Sequence, residues 1–258
     1  DEEMLTLMQF RESFSAAAQV AKAADDWAGP DHDLSDVTLH APIKSPSKVI
    51  CIGLNYIDHC REAGLDVPEE PVMFSKYPTS INGPYDDVTW YADWCQDIDY
   101  EVELGVVMGK AAYRVAEADA LDYVFGYTVV NDVSARDLQF LGPKQWDLGK
   151  CPDTFCPYGP AIACRDEIAD PQTLDLRLSV NGDQKQVSNT KNMVFGVANL
   201  IAYLSRGITL LPGDLIATGT PFGTGIGLKP PVYMKDGDVC IAEVDGIGSI
   251  RNRMRALG

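Results

Sequence analysis

The sequence predicts a mixed, β-rich (α+β) fold in which strands curl into a roll or barrel-like sandwich with few short helices. Apolar runs of strand length recur between residues 49 and 254, and Asn181-Gly182 stands between two alternating segments as a two-residue hairpin signal. Helical patterns are too few and too irregularly placed to provide the crossovers of a doubly wound sheet.

From the N-terminus, the alanine-rich "SFSAAAQVAKAADDW" (13–27) has helical character and "AGPDHDLSD" (28–36) follows as a polar loop. Residues 1–45 are therefore expected to form a small N-terminal segment and residues 46–258 the main body. That body opens with "VICIGLNY" and continues through "EVELGVVMG", "YVFGYTVVND", "GPAIAC", "LDLRLSVNGDQKQVS", "GDLIATGTP" and "DVCIAEVDGIGSIRNRM" as strands. Helices are expected only over 56–63, 116–124 and 197–206.

With 258 residues, 46% of them hydrophobic, the chain has ample material for a buried core. Its 21 Lys and Arg against 38 Asp and Glu leave a formal charge of -17, which speaks against nucleic acid and anionic membrane surfaces as partners. No apolar run approaches the roughly 18 residues of a membrane span, and no signal segment opens the chain. The seven cysteines are odd in number and include no C-x-x-C pair, which fits neither a disulfide framework nor a zinc site. A reducing, cytoplasmic location is expected. Asp1 is not a translational start, so residues are expected ahead of it and organellar targeting stays open. Cys51 and Cys240 lie in apolar runs and read as small core residues.

The stretch "DIDYEVELGVVMGK" (97–110) places two glutamates inside an otherwise hydrophobic strand. Alternation puts Tyr100, Val102 and Leu104 on one face and Asp99, Glu101 and Glu103 on the other. At roughly 3.3 Å per residue, the attachment points of Glu101 and Glu103 lie about 6 to 7 Å apart, a span two carboxylates can close onto one cation. A half-solvated strand with its polar face in water is the competing reading. Asp132 ends the apolar run "YTVVND", where a site could open or where it could cap a loop. Three acidic oxygens without Cys or His suit a hard cation: Mg²⁺, Mn²⁺ or Ca²⁺.

In "LNYIDHCREAG", His59 and Glu62 stand three apart in a short helix, within mutual reach. A carboxylate so placed orients an imidazole and raises its basicity, as a general base requires; a surface pair is the alternative. Lys150 falls in the Gly- and Pro-rich "QWDLGKCPDTFCPYGP", which reads as a loop. The glycine-rich turn in "GDLIATGTPFGTG" offers backbone N–H groups and the Thr220 hydroxyl to an anion, but lacks the lysine of a phosphate loop.

In order along the chain, "GLNYIDH", "FSK", "DYEVELGVVMGK", "GYTVVNDVSARDLQ", "GKCPDTFCPYGP", "VNG" and "GDLIATGTPFGTG" resemble the signature pieces of the fumarylacetoacetate hydrolase family, particularly its shorter domain-containing members. The likeness runs from about residue 46 to the C-terminus. It implies that Glu101, Glu103 and Asp132 are metal ligands, and that His59 with Glu62 is the catalytic pair of members with a mobile N-terminal lid. Lys150 matches the family's active-site lysine. Arg136 and Gln139 match its "ARDxQ" pair, Lys76 the lysine after its "F-x" strand, and Thr220 the threonine that binds substrate carboxylate. A mixed β roll, usually a homodimer, is the implied architecture. "TPFGTGIGLKPP" departs from the commoner "TPPGVG", which bears on the outer wall of the pocket.

The resemblance implies a small-molecule 2-oxo acid as substrate. Three carboxylates and one divalent cation sum to -1, so an anionic substrate would require Lys76, Arg136 and Lys150 in the pocket. The expected activity is hydrolysis of a C–C bond in a 2,4-dioxo acid such as an acylpyruvate, through an enolate that the metal stabilises while His59 activates water. Oxaloacetate decarboxylation or keto–enol tautomerisation at the same site is the alternative, and a non-catalytic metabolite-binding protein a more distant one.

Overall fold

The computed structural model describes residue 33, residues 36–142 and residues 145–258. Its largest sheet has seven strands: β1 (Val49–Gly53), β2 (Val72–Lys76), β3 (Ile81–Asn82), β6 (Val102–Met108), β7 (Val124–Asn131), β9 (Cys156–Cys164) and β12 (Leu215–Ala217), in the order β2-β1-β12-β6-β7-β9-β3. A five-stranded sheet has β4 (Val88–Tyr91), β10 (Asp175–Val180), β11 (Asp183–Asn189), β13 (Val239–Val244) and β14 (Gly248–Leu257), in the order β11-β10-β13-β14-β4. A small ribbon pairs β5 (Ile98–Asp99) with β8 (Ser134–Ala135). Most pairs are antiparallel, but β1 with β12, β3 with β9 and β4 with β14 run parallel, so the expected mixed β-rich class holds.

Apolar content explains why the large sheet lies inside. Every residue of β6 and β7 is buried. Val102, Leu104, Val106 and Met108 join a core cluster shared with the five-stranded sheet. The opposite face belongs to a second cluster containing Val107, Val130, Val49, Cys51 and Phe74. A sheet covered on both faces tolerates near-continuous hydrophobic runs. Ala41 and Ile43 also enter the second cluster, and Tyr158 exchanges hydrogen bonds with both backbone groups of Ile43. Cys51 and Cys240 are buried as expected.

Asn181 and Gly182 have φ of 54° and 85°, the left-handed pair that a two-residue hairpin between β10 and β11 demands. Among the described residues the α-helices are short: α1 (Ile57–Ala63), α2 (Arg136–Gln139), α3 (Asp147–Lys150) and α4 (Val197–Leu204). Residues Glu117–Tyr123, expected to be helical, form a 3₁₀ helix, and α4 ends two residues before the expected boundary. Lys150, expected in a loop, is instead the last residue of α3. The alanine-rich stretch 13–27 lies outside the described residues.

The stretch 99–104 is not one continuous strand. β5 ends at Asp99 and β6 starts at Val102, because side chains satisfy the backbone between them: Glu101 N–H donates to Asn131 Oδ1 (2.9 Å) and Val102 N–H to Gln186 Oε1 (2.9 Å). Its acidic face is buried, which removes the half-solvated reading: Asp99 is 0% exposed, Glu101 6% and Glu103 1%.

Candidate active site

Strand register brings the acids together. Val102 pairs with Asn131 and Glu103 with Val130, and Asp132 N–H donates to Glu101 O at 2.9 Å, so Asp132 lies opposite Glu101. Residues directly opposite share a face, and so do residues two apart. Glu101, Glu103 and Asp132 each offer an oxygen, and these oxygens lie within 4.8 Å of one another.

Three cations surround this group. Lys150 Nζ is 2.7 Å from Glu101 Oε2 and 2.8 Å from Asp132 Oδ2. Arg136 Nη2 is 2.5 Å from Glu101 Oε1, its Nε donates to Asp99 Oδ2 at 2.9 Å, and its Nη1 donates to Gln139 Oε1 at 2.8 Å. Lys76 Nζ is 2.8 Å from Asp132 Oδ1, an ion pair without hydrogen-bond alignment; the ammonium is aimed at the carbonyls of Val133 (2.9 Å) and Lys150. Lys150 reaches its position because α3 packs directly on α2. A Cβ on Gly149 would lie 2.4 Å from both Ala135 O and Gln139 N, so only glycine permits that approach.

The electrostatics follow from this layout. Burial opposes ionisation of Glu101, but Lys150 and Arg136 outweigh it and pull its pKa down to about 2. Burial also opposes the charge on Lys150, yet Asp132 and Glu101 raise its pKa and keep it cationic. Glu103 goes the other way: burial, then Asp132 and Glu101, push its pKa well up. With Glu103 ionised, four acids (Asp99, Glu101, Glu103, Asp132) against three bases (Lys76, Arg136, Lys150) leave a formal -4 + 3 = -1, a surplus that a proton on Glu103 takes up when no cation does. Converging hard oxygens with a surplus of buried negative charge fit a divalent cation.

These groups open onto a cavity of about 580 Å³, lined among others by Glu101, Glu103, Arg136, Gln139, Lys150 and Thr220. His59 and Glu62 stand on another wall of the same cavity, with His59 Nδ1 3.3 Å from Glu62 Oε2. Glu62 Oε1 accepts from Gly223 N–H at 2.9 Å, which ties α1 to the loop after β12. Lys76, expected to contact substrate, does not line the cavity; its ammonium is spent on Asp132 and two carbonyls, so it positions the site from behind.

The glycine-rich turn binds anions, but they are the protein's own. Gly219 N–H donates to Glu103 Oε2 (2.8 Å), Gly225 N–H to Asp99 Oδ1 (2.7 Å) and Ile226 N–H to Asp99 Oδ2 (3.0 Å). The Thr220 hydroxyl donates to Val102 O (3.0 Å) and accepts from Gln186 Nε2 (2.8 Å) while the residue lines the cavity. Sequence reasoning put Asp99 on the acidic face without giving it a task. It joins Arg136 to the Gly225–Ile226 backbone. Gln186, on the hairpin strand β11, carried no sequence signal.

Residues 48–255 match the family described as Fumarylacetoacetate (FAA) hydrolase C-terminal. The mitochondrial oxaloacetate tautomerase of Xenopus laevis is 48% identical over 247 residues, which are 95% of this chain and 77% of that protein. The oxaloacetate tautomerase YisK of Bacillus subtilis (strain 168) is 44% identical over 241 residues, 92% of this chain and 80% of the relative. Among solved structures, maleylpyruvate hydrolase from Sphingobium sp. SYK-6 aligns with a TM-score of 0.82 at 32% identity, covering 98% of this chain and 86% of the other.

Proposed function

Because this chain belongs to the fumarylacetoacetate hydrolase family, we propose that it is a divalent-cation-dependent keto–enol tautomerase of oxaloacetate. The observation that carries the reading is one cavity holding both a hard-oxygen cation site and a carboxylate-oriented imidazole, in a chain whose relatives bear that activity. Acylpyruvate hydrolysis, the first expectation from the sequence, is the second reading; the maleylpyruvate hydrolase of like fold favours it, at lower identity.

Glu101, Glu103 and Asp132 would hold Mg²⁺ or Mn²⁺, with Ca²⁺ as another hard cation of the same preference. When bound, the cation supplies Lewis-acid polarisation of the 2-oxo group and a counter-charge for the electron pair that moves onto that oxygen. Arg136, Lys150 and Thr220 bind and orient the carboxylate next to the ketone. With Glu62 as acceptor, His59 carries its hydrogen on Nδ1 and presents the Nε2 lone pair. Nε2 takes the proton from C3 and the resulting imidazolium returns it to the 2-oxo oxygen to complete the enol, leaving His59 neutral again; the reverse sequence regenerates the ketone. In hydrolysis the same lone pair would deprotonate a water.

Following enol-oxaloacetate by its ultraviolet absorbance with Mg²⁺ or Mn²⁺ tests the proposal. Interconversion well above the buffer rate is expected; cleavage of acylpyruvates without it would overturn the reading in favour of hydrolysis. His59→Ala should cost about 10²-fold or more in kcat on whichever reaction uses the base, and much less on oxaloacetate decarboxylation. A homodimer is the expected assembly, read as twice the chain mass by light scattering. No helix among the described residues is long and apolar enough to cross a membrane. The mitochondrial relative adds an organellar setting to the cytoplasmic one expected from the cysteines.

A further inference from the structure

Two cations on the cavity wall have no task in the site described so far. Arg61 stands in the last turn of α1 and Lys229 two residues beyond Gly227, and both line the cavity that contains Glu101 and Glu103. Both are exposed, and among the described residues neither side chain has an ion-pair or hydrogen-bond partner. Their two walls are held in register by Glu62, the neighbour of Arg61, which accepts from Gly223 N–H and rests its carboxylate against Gly227. In a chain of charge -17, two unpaired cations facing one cavity form a local field for an anion.

Charge counting shows which anion is left for them. The inner group, at -1, becomes +1 with a divalent cation, and the carboxylate beside the ketone neutralises it. A second carboxylate finds no counter-charge there. At about 580 Å³ the cavity extends beyond the inner site, so a distal group that projects outward from that site faces the walls carrying Arg61 and Lys229. Those walls also carry Leu65, Phe140 and Leu228, which would suit an apolar tail. An apolar tail, however, would desolvate Arg61 and Lys229 and return nothing, whereas a carboxylate gives charge-assisted hydrogen bonds, bidentate from arginine.

We infer that Arg61 and Lys229 form the recognition site for the distal carboxylate of a dicarboxylic 2-oxo acid whose 2-oxo-carboxylate end occupies the inner site. The inference rests on the proposed function, since it assumes that the inner site takes the 2-oxo end, and it makes the outer rim the determinant of substrate class.

The test uses a matched pair, 2-oxopentanedioate and 2-oxopentanoate, which differ only in the distal carboxylate and do not decarboxylate as oxaloacetate does. Calorimetric Kd values on the Mg²⁺-loaded protein should favour the dicarboxylate by about tenfold or more. Arg61→Gln and Lys229→Gln should each remove most of that preference, while oxalate, which reaches only the inner site, binds as in the wild type. Raising the salt to about 0.5 M should shrink the preference, because the cations are exposed. Equal affinities for the pair, a preference for the monocarboxylate, or a preference retained in both variants would overturn the rim. If the wild type prefers the dicarboxylate but does not interconvert oxaloacetate tautomers, the rim stands and the proposed function fails. If the double variant turns oxaloacetate over with unchanged KM, the function stands and the rim fails.

Discussion

Replacing Gly227 by alanine should lower catalysis while leaving the fold intact. A Cβ there would lie 2.4 Å from Glu62 Cδ, 2.5 Å from Oε2 and 2.7 Å from Oε1, all closer than real contacts allow. Gly227 does not have a left-handed φ, so alanine fits the backbone and the conflict falls on the Glu62 carboxylate alone. That carboxylate ends a flexible side chain and can swing away, so the folding cost is small. Swinging away, however, breaks the bond from Gly223 N–H (2.9 Å) and the partnership with His59 Nδ1 (3.3 Å). Hydrogen bonds to charged groups are worth about 1.5 to 3 kcal/mol each. If one such contribution is lost from the orientation of the imidazole, at 1.36 kcal/mol per decade the rate falls about 10- to 100-fold. The expected result is a drop of that size in kcat on oxaloacetate with KM and Tm near wild type, and a similar drop in Glu62→Gln. Nitrogen NMR of His59 should show the Nδ1 hydrogen losing its carboxylate acceptor in both. Wild-type kcat in Gly227→Ala would refute the claim that the loop holds Glu62 for His59; a parallel collapse of Tm would mean that the glycine serves packing instead.

Chelation should abolish activity and Mg²⁺ or Mn²⁺ restore it, and Glu103→Gln should weaken cation binding severely in calorimetry; unchanged affinity would remove Glu103 from the ligand set. Because Glu103 has a raised pKa, the cation-free fold keeps a proton that the unfolded chain sheds, and it loses stability as pH rises above the ordinary carboxylate range. A cation displaces that proton, so the Tm gain from Mg²⁺ should grow as pH rises above the ordinary carboxylate range; a gain that shrinks with pH would contradict the assignment. Oxalate should inhibit competitively and, in a crystal, touch Thr220 and Arg136 or Lys150 but not Lys76; noncompetitive inhibition, or oxalate away from Glu101, would count against the site. Tyr158→Phe should cost about 1 to 3 kcal/mol in chemical denaturation, since it strands both backbone groups of Ile43, and a change within error would mean that water replaces the hydroxyl.

Features within one turn or one strand are legible in this sequence, because local geometry ties their spacing to their direction. His59 and Glu62 meet across three residues of α1, and Glu101 and Glu103 share a face because they are two apart. The Asn181-Gly182 hairpin and the buried runs of β6 and β7 belong to the same class. Lys150 shows the limit: glycines and prolines around it suggest a loop, whereas packing of Gly149 on the α2 backbone closes a helical turn that carries the ammonium inward.

By itself, then, the chain's alternation, turn residues and ordered motifs determined the β-rich class, the acidic ligand candidates and the histidine–glutamate pair. Only the tertiary structure decided that Asp132 stands opposite Glu101, because that depends on the register of β6 against β7 across a long connection. Tertiary packing also decided that the turn amides hold Asp99, Glu62 and Glu103 rather than a ligand, and that Lys76 sits behind the cavity while Arg61 and Lys229 face it. Residue type sets what a side chain can bind, but which partner it meets is settled by packing between segments far apart in sequence, where each buried charge must find its counter-charge.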